Sequence, residues 1–154
     1  MARKHHRLPF CLMAGAILTA TSCSPPSSSQ VQQVIPGGTW EKSHILTLTL
    51  QAPDTAGRYD SFLDIRVTPK YAHSYMSIIM IHDRRKDTLW LSLLGGNAIR
   101  SGVFTDYRFP LDTAGFAADK PYWSWQLSHN MLDQALDGIA TIGLLIKKHG
   151  HGKR

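Results

Sequence analysis

The sequence predicts an all-β fold, an antiparallel β-sandwich of about seven or eight strands with one short helical turn before the last strand. Two observations carry this expectation. From Trp40 onward, apolar residues recur every second position in short runs, the period of a strand with one buried face. These runs are separated by turn-forming clusters such as Ala52-Pro53-Asp54 and Leu94-Gly95-Gly96-Asn97.

The chain begins differently. Arg3, Lys4 and Arg7 form a basic head, Leu8 to Ala20 form an apolar run, and Ala20-Thr21-Ser22-Cys23 form a small-residue exit. Those are the three parts of an export signal. The apolar run is shorter than the ~20 residues that a membrane-spanning helix needs. A cut immediately before Cys23 is the pattern of a lipoprotein signal, in which the thiol receives lipid and two or more acyl chains give stable anchoring. Ala20 stands where leucine is usual, and the competing reading is a soluble exported chain in which Cys23 is only a small residue near the cut. Cysteine usage favours lipid. Cys11 lies inside the signal, so Cys23 would otherwise be an unpaired thiol in an exported protein. The expected organisation is a signal over 1–22, a lipidated cysteine and flexible tether over 23–38, a β-sandwich over 39–147 and a basic tail over 148–154.

Ser24 to Gln33, rich in Ser, Pro and Gln, offers little to bury and reads as tether. It carries no acidic residue, which favours the periplasmic leaflet of an outer membrane over the cell surface. The expected strands follow in order. His44–Gln51 alternates Leu46, Leu48 and Leu50 with Thr47, Thr49 and Gln51. Tyr59–Thr68 alternates likewise, and Tyr75–His82 is apolar on both faces, as a central strand would be. Thr88–Leu94, Val103–Phe109, Tyr122–His129 and Ile139–Lys147 complete the set, with one or two helical turns expected over Asn130–Leu136.

Charge excludes one class of partner. The formal net charge of +6 comes from the two ends: three basic residues lie in the head, and Lys147, Lys148, Lys153 and Arg154 lie in the tail. The body between them holds ten basic and eleven acidic residues, which gives no support to nucleic-acid binding. Catalytic and metal chemistry find little footing either. His44, His73, His82, His129, His149 and His151 follow no zinc-ligand spacing, although His82-Asp83, or His129 with Asp133, would be ligand pairs if folding joined them. His149-Gly150-His151 reads as a solvated tail. No serine lies in a nucleophile elbow, and Glu41 is the single glutamate. No metal, cofactor or enzymatic activity is expected.

The aromatic residues are more informative. Trp90, Tyr122, Trp123 and Trp125, with Tyr75, form either a platform for a partner or sugar, or part of the inter-sheet core. Trp123 and Trp125 share a face, which favours core for that pair. Arg84-Arg85-Lys86 reads as a charged hairpin tip.

The last third carries a resemblance. Tyr122-Trp123-Ser124-Trp125-Gln126-Leu127-Ser128-His129-Asn130-Met131, then Leu136-Asp137-Gly138-Ile139-Ala140-Thr141-Ile142-Gly143, resembles the closing segment of the gliding-motility lipoprotein GldH family. Trp40, Arg66 and Tyr71-Ala72-His73-Ser74-Tyr75 are earlier echoes. Leu132 departs from the pattern, in which arginine is common there, and the stretch before Val103 has fewer glycines. The resemblance implies a non-enzymatic outer-membrane lipoprotein, membrane-held through its N-terminal lipid and working with envelope protein partners in gliding and the linked secretion machinery. A tethered carbohydrate-binding module using exposed aromatics is the alternative.

Overall fold

The computed structural model describes residues 26–96 and 98–150. The expected signal peptide and Cys23 lie outside the described residues. Among the described residues there are eleven strands: β1 (Ser28–Val34), β2 (Thr39–Glu41), β3 (Leu46–Gln51), β4 (Arg58–Val67), β5 (Tyr75–His82), β6 (Arg85–Ser92), β7 (Ala98–Ser101), β8 (Phe104–Ala117), β9 (Tyr122–His129), β10 (Ala135–Asp137) and β11 (Ile139–Lys148). They form a five-stranded sheet in the order β1-β11-β4-β8-β7 and a four-stranded sheet in the order β3-β9-β5-β6. A short ribbon of β2 and β10 completes the fold, and every pairing is antiparallel.

The alternation in the sequence becomes the core. Leu63, Ile65 and Val67 of β4 and Ile142, Leu144 and Ile146 of β11 form the inner layer of the larger sheet. Facing them are Leu46, Leu48 and Leu50 of β3, Met76 and Ile78 of β5, and Trp125 and Leu127 of β9. Trp40 on β2 is fully buried opposite Leu136 on β10, so the ribbon closes one margin of the core. Burial on this scale supplies the main driving force for a sandwich, at roughly 25 cal/mol per Å² of apolar surface.

The structure changes two expectations. Part of the stretch read as tether, Ser28–Val34, is the edge strand β1, in register with β11 from Ser28 opposite Lys147 to Val34 opposite Thr141. Backbone hydrogen bonds do not depend on side-chain polarity, and an edge strand with one face in water tolerates Ser and Gln. Val31 alone packs against the core from this strand. The helical turn expected within Asn130–Leu136 is absent. Residues 131–134 are bends, and Ala135–Asp137 pairs with Thr39–Glu41. Leu136 is drawn into the core, while the Gln134 carbonyl accepts from the Lys42 amide and the Met131 carbonyl accepts from the Lys42 ammonium. These partners replace the bonds a helix would have made. The one short helical turn among the described residues lies at Pro36–Gly38 instead, where Gly37 and Gly38 take positive φ.

One irregularity shapes the surface. Along β4 and β8, Tyr59 faces Phe116 but Ser61 faces Asp112, so residues 113–115 bulge out of the ladder. Such bulges kink the strand and re-aim neighbouring side chains. This one leaves an opening between the sheets beside Ser61 and Phe116.

Candidate interaction surface

The two outer faces of the sandwich have opposite chemistry. On the larger sheet, charge is plentiful and paired. Arg66 donates two hydrogen bonds to Asp106 at 2.6 and 3.0 Å, and Arg108 donates two to Asp64 at 2.6 and 2.7 Å. Asp64 also accepts from Gln30 on β1. Bidentate pairs of this kind raise the basicity of both guanidiniums, first through the hydrogen bonds to their aspartates. They lock β4 to β8 and leave little unmet charge for a ligand.

The outer face of the four-stranded sheet is nearly neutral. β3 presents Thr47, Thr49 and Gln51, and β9 presents Tyr122, Ser124, Gln126 and Ser128. β5 contributes Tyr75, Ser77, Ile79 and Ile81, opposite Ser92, Trp90, Thr88 and Lys86 of β6. Lys86 is the single charged side chain among these positions. The Thr49 and Ser124 hydroxyls meet across strands at 2.8 Å. Trp90 is 71 % exposed and stacks on Tyr75 with ring centroids 5.9 Å apart, while Tyr122 stands 59 % exposed on the far side.

The aromatic expectation therefore divides. Trp90 and Tyr122 are surface residues, whereas Trp123 and Trp125 are 7 % and 2 % exposed and belong to the core. Period two put the latter pair on the inner face of β9, so no platform joins all three tryptophans. Trp125 stacks instead on His82 at 4.1 Å, and Trp123 packs edge-on against Phe116 at 5.0 Å.

The histidines do not converge. His129 lies opposite Ile78 and His82 opposite Trp125, four residues apart along β5. The carboxylates take other partners: Asp83 pairs with Lys120 at 3.5 Å, and Asp133 with His73 at 3.2 Å. His129 is 2 % exposed beside the edge of Trp40, with neither ring nitrogen hydrogen-bonded among the described residues. Burial, then the nearby Lys42, holds its basicity below the ordinary histidine value. His82 is shifted down as well, chiefly by burial, and its Nδ1–H donates to the Ser124 carbonyl at 3.0 Å. His149, expected in a solvated tail, meets Asp60 at 2.6 Å, and its amide donates to the Arg58 carbonyl. His151 lies outside the described residues. No group of three or more metal-type ligands occurs among the described residues.

Segments that carry the family resemblance meet in space. The Thr68 amide donates to the Gly138 carbonyl, and Tyr71 folds back so that its hydroxyl donates to the Tyr75 carbonyl at 2.7 Å. Gly138 has φ +84°, and a Cβ there would fall on the Tyr71 nitrogen and 2.8 Å from the Lys70 carbonyl carbon. The glycine between Leu136 and Ile139 is thus fixed by backbone contact. The family model of the GldH lipoprotein matches residues 28–146. The chain belongs to the GldH lipoprotein family. Comparison with curated proteins returns no match. Membership makes the chain a lipid-anchored, membrane-associated protein of a gliding-motility-associated family, and the matched span begins with β1 and ends within β11.

Proposed function

We propose that this GldH-family chain is a non-enzymatic assembly component of the gliding and secretion machinery, lipid-anchored through Cys23 to the periplasmic leaflet of the outer membrane. The observation that supports this reading is the broad neutral face of the four-stranded sheet, with Trp90, Tyr75 and Tyr122 exposed on it. A rigid sheet face with few charges to desolvate and exposed aromatic anchors has the composition of a protein-docking surface. The partner is an envelope protein.

Two experiments test the reading. Cys23→Ala abolishes fatty-acid labelling and releases the domain from membranes; a variant that stays labelled and bound refutes the anchor. A photo-crosslinking residue at Gln126 or Thr88 captures a discrete envelope protein in living cells, and Trp90→Ala reduces that product several-fold. The stacked Trp90–Tyr75 pair among hydroxyls also favours a second reading, a sugar-binding face. Binding of neutral oligosaccharides that Trp90→Ala abolishes, with no protein crosslink, would establish it.

A further inference from the structure

The opening beside the β8 bulge has a chemistry unlike either outer face. It encloses about 420 Å³ between the sheets, within the size range of pockets that hold a ligand. Its wall is aromatic: Trp123, Trp125, Phe116 and the His82 ring stacked on Trp125. Asp83, Asp87, Asp112 and Asp119 also line it, against a single cation, Arg85. Lys120 neutralises Asp83, which leaves Asp87, Asp112 and Asp119 without an ion-pair partner among the described residues. Ser61 also lines the cleft, from the inner face of β4. It is 3 % exposed.

The cleft already draws a cation of its own chain. The Lys120 ammonium lies 4.3 Å from the Trp123 ring centroid at its mouth. His82 adds an acceptor, because its Nδ1–H is committed to Ser124 and the other ring nitrogen keeps its lone pair in the neutral form. An aromatic wall, a buried hydroxyl and a negative lining suit a long side chain with an apolar stem and a positive head. They disfavour an anion or a purely apolar group.

We propose that this cleft receives an arginine or lysine side chain from a basic segment of a partner protein. This goes beyond the docking reading of the outer sheet face and does not depend on it. The stem lies against Phe116 and Trp123, and the charged head meets Asp87 and Asp112.

The full chain in detergent, ¹⁵N-labelled, can be titrated with Nα-acetyl-arginine methylamide and Nα-acetyl-lysine methylamide while the tryptophan indole and backbone amide resonances are followed. The citrulline and norleucine analogues serve as neutral controls. The expected result is a saturable shift of the Trp123 indole with at least one basic probe and none with the neutral ones. Asp87→Asn with Asp112→Asn should weaken it about tenfold or more. Trp90→Ala, remote from the cleft, should leave it unchanged. Equal shifts with citrulline, or a response indifferent to the double variant, would overturn the proposal. So would shifts confined to the Asp64–Arg108 ladder. Loss of the Trp90-dependent crosslink with the cleft titration intact would refute only the outer-face reading.

Discussion

Two histidines, His129 buried and His82 half-buried, carry a consequence that solution measurements can reach. His82 and His129 are both held below the ordinary histidine pKa of about 6.5, so the unfolded chain binds more protons than the folded one as pH falls below that value. Stability is therefore full at neutral pH and declines from about pH 6.5 downward until the folded-state values are passed. Urea unfolding at pH 7.5 and pH 5 should show a lower midpoint at pH 5. His129→Leu should flatten the dependence, and an unchanged slope would show that His129 protonates freely in the fold. Gly138 offers a second test. Gly138→Ala forces a side chain into left-handed backbone against Tyr71, and should cost at least ~1–2 kcal/mol by thermal or chemical unfolding. The sequence held the glycine and its Leu-x-Gly-Ile setting in view. It could not show that the constraint comes from a loop some seventy positions earlier.

At the scale of elements, legibility followed burial. Tyr75–His82 and Tyr122–His129 have the boundaries expected from their apolar patterns, because each sits inside a sheet and packs one face on the core. β2, β7 and β10 are three or four residues long, too short for a period to register. β1 was hidden for a different reason: its polar Ser and Gln residues satisfy an edge strand, and its pairing is made by backbone atoms that every sequence supplies. The interaction residues divided on the same principle. Alternation correctly favoured the core for Trp123 and Trp125, but it is silent on which side of β6 Trp90 occupies. The cleft was invisible because Asp112, Asp87 and Ser61 meet only through the β8 bulge and the pairing of distant strands. The β5–β6 hairpin supplies the prediction at this scale. Its tip, Asp83-Arg84, has φ values of +47° and +65°, a conformation glycine takes without penalty. Arg84→Gly should raise stability by about 0.5–1 kcal/mol in chemical denaturation, with the fold unchanged.

Taken as a whole, the molecule has a saturated charged face, a neutral face and a negative cleft, each made by a different part of one topology. Asp64 and Arg66 of β4 commit their charges to Arg108 and Asp106 of β8, which ties these two strands of the larger sheet together. The neutral sheet is left to present hydroxyls, amides and aromatics. The two proposed contact regions are therefore separable by mutation. Trp90→Ala should impair crosslinking without altering the cleft, and Asp87→Asn with Asp112→Asn the reverse, as read by crosslink yield and the Trp123 indole shift.

Edge strand β1 also sets a distance. Four residues stand between Cys23 and Ser28, where pairing with β11 begins, and five residue steps span at most about 18 Å of extended chain. A lipid on Cys23 would thus leash the sandwich closely, with the first rung of β1 held just above the headgroups. That rung is level with Lys147, Lys148, the start of β4 and the β8 bulge. The domain would then stand on this end, with the acidic cleft opening nearby. With such a lipid in place, a basic segment that reached the cleft would meet it close to the bilayer surface.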